Sequence, residues 1–147
     1  MARINRTVKR DKSNNPQNTN KNVCALAVAE ALGCENNVHY LHVIGDVVRA
    51  VRMSYTVRSR GATTKGKSVG SLRKHFLKLS QKAYAEGLSP LGFIVRIPGH
   101  VIFVDVLGTT LTDTDPRKND RRKVSHCYIV YAKGTPGPSA RLLCEIS

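Results

Sequence analysis

The chain has 147 residues, with 24 Lys+Arg against 10 Asp+Glu and a formal net charge of +14. At 41% hydrophobic and 23% charged residues it has the composition of one globular domain, long enough to bury a core without disulfide or metal staples. No apolar run approaches the roughly 18–20 residues of a membrane span. The basic start leads into Asn-rich sequence and not into the apolar core of a signal peptide, and four cysteines without dense spacing are not a disulfide scaffold. Reduced thiols in a cytoplasmic setting are therefore expected.

Residues 1–20 lack apolar periodicity and read as a basic, polar arm ahead of a single domain over 21–147. Residues 23–33 are rich in Ala and Leu, carry one charge (Glu30), and stop at Gly33, a residue suited to a helix C-cap. Such a segment predicts a helix apolar all round and hence buried. Over residues 38–53, Leu41, Ile44, Val47, Val48 and Val51 fall on one helical face. Residues 56–67 combine Gly, Ser, Thr and charge and are expected to form a mobile basic loop. Ser68 caps a third helix in which Leu72, Phe76, Leu79 and Ala83 recur at helical spacing, ending near Gly87.

After Ser89-Pro90 the period changes. Residues 91–97, 100–107, 123–132 and 140–146 have strand composition, punctuated by Pro98-Gly99 and by the Gly/Pro-rich stretch 134–138. Helices first and an antiparallel sheet afterwards give an α+β order, with the buried N-terminal helix and its companions packed on a C-terminal sheet.

The charge is uneven. Between Asp46 and Glu86 there is no acidic residue but ten basic ones, Arg58, Arg60, Lys65 and Lys67 among them. Further clusters lie at the N-terminus and around Arg117, Lys118, Arg121 and Arg122. Charge of this size attracts polyanions through counterion release. Arg58, Arg60, Lys65, Lys67, Arg121 and Arg122 are the candidate contacts for nucleic acid or an acidic protein. Without Trp or a stacking motif, base-specific reading is not expected.

One set of residues carries chemistry. Cys24 is expected in the first turn of the buried helix, where free N–H groups and the helix dipole favour a thiolate nucleophile. A thiolate needs a group to pass a proton to the leaving atom, and His100 opens a strand directly after Pro98-Gly99. A third group must hold the imidazole. Asp113 and Asp115 follow across the turn at Leu107-Gly108, where a returning strand brings one carboxylate beside the histidine.

This order, a Cys at the start of an apolar helix, Gly99-His100 leading the strand Val101-Ile102-Phe103-Val104, then Thr112-Asp113-Thr114-Asp115-Pro116-Arg117, resembles the papain-like cysteine peptidases. It is most similar to small phage and bacterial members. The resemblance implies a hydrolase of peptide, isopeptide or related amide bonds, with Cys24 as nucleophile, His100 as base and acid, and Asp113 as orienting residue, Asp115 in reserve. Where the family carries an oxyanion-stabilising glutamine ahead of its cysteine, this chain has Asn18 with Gln17 adjacent, so one of these amides is implied as the oxyanion donor. A protein or peptide substrate is implied, and a virion or host-cytoplasm location fits a phage member. The same fold without activity would leave a basic binding protein.

Two further patterns are weaker. Cys34, His39 and His42 lack the paired cysteines of a structural zinc site, and no metal is expected. Residues 61–68 match Gly-x4-Gly-Lys-Ser, yet a phosphate loop needs a buried strand before it and a parallel sheet around it. Neither is predicted, so no nucleotide or other cofactor is expected.

Overall fold

A computed structural model describes residues 16–34, 36, 46–60, 64–115 and 119–135. Among these the elements are α1 (Pro16–Ala31), α2 (Asp46–Arg52), β1 (Tyr55–Ser59), α3 (Val69–Ala85), β2 (Pro90–Ile97), β3 (His100–Val104), β4 (Thr110–Thr112) and β5 (His126–Ala132). The five strands form one antiparallel sheet in the order β1-β5-β2-β3-β4. The architecture is thus α+β. Among the described residues no helix is long and apolar enough to cross a membrane. The expected strand over 140–146, residues 1–15 of the expected arm, and His39 and His42 lie outside the described residues.

Both faces of the sheet are covered. Strand alternation sends Phe93, Val95 and Ile97 of β2 and Ile102 and Val104 of β3 toward α3, where they bury against Leu72, Phe76, Leu79 and Ala83. Phe76 and Phe93 stack with ring centroids 4.4 Å apart. The alternate residues Ile94, Val101, Phe103 and Val130 bury against α1 and α2 on the other face. A sheet covered on both sides explains why residues 91–97 read as a continuous apolar run.

The third helix follows its sequence signals. The Ser68 side chain accepts from the Ser71 N–H at 3.2 Å as N-cap, and Leu88 N–H returns to the Ala83 carbonyl past Gly87 at φ 80°. The first helix departs in two ways. It begins at Pro16, inside the stretch expected as an arm. It also buries one stripe, Cys24, Ala25, Val28, Ala29 and Leu32, while Glu30 and Ala31 are exposed, so it is not apolar all round. The small Ala25 and Ala29 allow its backbone close to β3, against which it lies together with β4. Its last turn is tied down by the Tyr55 hydroxyl, which donates to the Leu32 carbonyl.

Residues 56–59, expected in the loop over 56–67, instead form with Tyr55 the edge strand β1, pairing with β5 from Tyr55↔Ala132 to Ser59↔Tyr128. An edge strand has one ladder and here one fully buried side chain, Val57, so its sequence lacks the apolar alternation that marks inner strands. It also interrupts the predicted order of helices followed by strands. Of the second predicted helix, only Asp46–Arg52 is described as helical. The strand starting at His100 ends at Val104 because the Asp105 carboxylate accepts the N–H groups of Leu107 and Thr109, both at 2.9 Å, and closes a turn into β4.

Candidate active site

His100 is the first residue of β3, delivered by the Pro98-Gly99 turn in which Gly99 takes φ 74°. Its Nε2 lies 2.9 Å from Asp113 Oδ1. Asp113 follows directly on β4, so the returning strand does bring a carboxylate to the histidine. Its side chain is only 3% exposed, and that of His100 is 16% exposed.

A carboxylate so buried needs partners. Asp113 Oδ1 also accepts the Asp115 N–H at 3.0 Å, and Oδ2 accepts Arg122 at 2.7 Å. Burial pushes the Asp113 carboxyl up. The hydrogen bonds from Arg122, His100 and the Asp115 N–H outweigh it and hold the group below the usual carboxylate range. Of the two candidate carboxylates, Asp113 is the one bonded to His100. Asp115 supplies its backbone N–H and sits 3.6 Å from Arg122.

Arg122 is fixed from behind. Its Nε donates to the Asn119 carbonyl at 2.5 Å, and its own carbonyl accepts the Val69 N–H at the start of α3. The segment carrying it is held in turn by Arg73 of α3. That guanidinium forks onto Asp120 at 2.8 and 3.0 Å and donates to the Gly108 carbonyl and the Thr110 hydroxyl, both at 2.9 Å. One arginine thus pins the turn before β4 and the segment after it to the same helix.

Cys24 lies on the buried stripe of α1, 1% exposed. Burial pushes its thiol up to about 11. The backbone N–H groups of Val101 and Ala25 act the other way, and the charge of Asp113 adds to the rise. The Val101 N–H is adjacent in the chain to His100, so the cysteine sulfur meets β3 beside the histidine. Cys24 thus meets β3 at the residue next to His100, whose imidazole is bonded to Asp113.

The expected setting of Cys24 is corrected in one respect. Because α1 starts at Pro16, the cysteine sits in the helix interior and not in the first turn. Its backbone N–H belongs to the helical ladder, and the dipole argument for a thiolate does not apply there. Gln17 and Asn18 occupy the start of α1, roughly 9–10 Å along the helix axis from Cys24 at 1.5 Å per residue.

The six basic candidates separate. Arg122 is not a surface contact, since it is committed to Asp113. Arg60 is half-buried, its guanidinium on the Ser59 carbonyl at 2.6 Å, and burial lowers its pKa. Arg58 reaches the Thr135 carbonyl at 3.5 Å. Lys65, Lys67 and Arg121 are exposed. The Gly-Lys-Ser motif precedes α3, but the sheet around it is antiparallel throughout the described strands, unlike the parallel setting a phosphate loop requires.

Sequence reading took Arg122 for a surface contact and did not single out Arg96. Arg122 was hidden in a basic run, where nothing local distinguishes a buried guanidinium from solvated ones. Arg96 interrupts an apolar strand, a signal that could have marked it. Comparison of the chain with known protein families, curated proteins and solved structures returned no match.

Proposed function

We propose that Cys24, His100 and Asp113 form the centre of a papain-like cysteine hydrolase acting on amide or peptide bonds. The observation that carries this reading is the His100–Asp113 hydrogen bond of 2.9 Å beside the β3 N–H that meets the Cys24 sulfur. With Nε2 bound to Asp113, Nδ1 is the ring nitrogen left to exchange a proton with the thiol. The thiol, held protonated by its apolar surroundings, gives its proton to His100 as sulfur attacks the carbonyl carbon. The imidazolium then protonates the leaving amine as the C–N bond breaks, and water hydrolyses the thioester with His100 again as base. Asp113 stabilises the imidazolium, and Arg122 and the Asp115 N–H keep that carboxylate ionised and oriented.

The test uses p-nitrophenyl acetate, which carries a good leaving group and needs no substrate recognition. Intact-mass and peptide analysis should find one acetyl group on Cys24 with release of p-nitrophenolate. Cys24→Ala and His100→Ala should both lose it. Acetylation elsewhere, or undiminished acetylation of Cys24 in His100→Ala, counts against the centre.

A second reading is supported by the exposed Lys65, Lys67 and Arg121 together with the net charge of +14. In it the protein binds a polyanion, nucleic acid or an acidic protein, and Cys24 is a core residue. Replacing those three with Ala should then flatten the salt dependence of heparin or DNA binding, by about 0.7–0.9 in slope for each phosphate they neutralise.

A further inference from the structure

Arg96 lies on β2, next to the strand whose Val101 N–H meets the Cys24 sulfur. On β2, Phe93, Val95 and Ile97 bury toward α3 and Ile94 toward α1, so alternation assigns Arg96 to the α1 face, the face on which Cys24 packs. Its cross-strand partner on β3 is Val101, whose N–H is turned away from β2 and meets the Cys24 sulfur on the other side of β3, and its partner on β5 is His126. Directly opposed residues have Cβ atoms about 5 Å apart, well within the reach of a guanidinium.

The Arg96 Nε is buried without a hydrogen-bond partner, and none of the ion pairs among the described residues includes it. What Ser125 binds is the Arg96 carbonyl, at 2.8 Å from its N–H and 3.1 Å from its hydroxyl. The neighbouring charges are of the same sign. The His126 pKa is lowered by burial and then by the charges of Arg96 and Lys65, which places three basic groups at this end of the sheet. A half-buried arginine with no counter-charge among the described residues is suited to receive an anionic group.

We propose that Arg96 is the specificity-determining residue of the site and receives a substrate carboxylate next to the scissile carbonyl. This deepens the hydrolase reading and rests on it.

The test compares two alkylating agents that share a leaving group and differ in charge, iodoacetate and iodoacetamide. Their rates at Cys24 are read by peptide mass, and their ratio is normalised to that of free cysteine. A guanidinium within reach should favour the anionic reagent about tenfold at low ionic strength. The preference should decline with added salt, fall to the free-cysteine ratio in Arg96→Gln, and persist in Arg96→Lys. Normal iodoacetamide labelling with a ratio that is unchanged in Arg96→Gln, or a wild-type ratio indifferent to salt, overturns the subsite and leaves the nucleophile standing. Labelling of Cys24 by neither reagent overturns both.

Discussion

The His100 imidazole and the Asp113 carboxylate meet at 2.9 Å across the gap between the start of β3 and the end of β4, and the carboxylate is the more deeply buried of the two. A buried carboxylate that stays ionised is linked to pH. Its folded pKa is below the ordinary value, so its contribution to stability is complete above the unfolded carboxylate pKa of about 4 and is lost as pH falls through the lower folded value. Thermal melting of the wild type should drop steeply below about pH 4. Asp113→Asn should start lower at neutral pH and show a shallower acid limb. An acid limb of equal slope in the variant would show that other carboxylates dominate.

Arg122 is the other half of that arrangement. Removing it leaves Asp113 buried with a histidine and one N–H, and breaking a buried ion pair from one side typically costs about 3–5 kcal/mol. Arg122→Ala should therefore destabilise by about 3 kcal/mol in urea unfolding. The double variant Arg122→Ala/Asp113→Asn should cost less than the two single changes added together. Additive costs would mean that the two side chains are not coupled.

Arg73 should matter through geometry and not through charge alone. Its four acceptor atoms belong to Gly108 before β4, to Thr110 at the start of β4 and to Asp120 in the segment leading to Arg122. Hydrogen bonds to a charged group are worth about 1.5–3 kcal/mol, and the planar fork on Asp120 is one that lysine does not reproduce. Arg73→Lys should lower stability by about 1–2 kcal/mol, and Arg73→Ala by more. A lysine variant as stable as wild type would reduce the clamp to a surface ion pair.

Gly92 is required by contact. A Cβ there would lie 2.4 Å from the Phe103 ring and 2.8 Å from the Val104 carbonyl, beside the register shift at Pro90/Gly92. Gly92→Ala should destabilise by about 2 kcal/mol or more, as overpacked cores do. Gly92→Ala combined with Phe103→Leu should recover part of that loss. Failure of the smaller side chain to help would assign the cost to the Val104 carbonyl.

What could be read from the sequence depended on whether a signal was local. The third helix announced itself through Ser68, its apolar period and Gly87, and residues 91–97 through β-branched content bounded by proline and glycine. The Gly99-His100 strand mouth and the return to Asp113 were legible because a tight turn and a short β4 fix their geometry within fifteen residues. The edge strand β1 was not, since what makes Tyr55–Ser59 a strand is its pairing with β5, far along the chain. The start of α1 was missed because Asn18, Thr19, Asn20 and Asn22 are polar and weakly helical by propensity. With the first turn at Pro16, the helix dipole no longer favours a thiolate at Cys24. Arg122 was taken for a surface contact because only the packed fold separates a buried guanidinium from the solvated majority in a chain of charge +14.

The central claim is that His100 takes the proton of Cys24, and the rate of Cys24 alkylation by iodoacetamide against pH tests it most directly. By itself the buried thiol would stay protonated to about 11. In the wild type the rate should instead exceed that of His100→Ala by about tenfold or more at pH 7.5, with the variant rising only above pH 9. Superimposable profiles for the two proteins would contradict the account and leave Cys24 as a core residue.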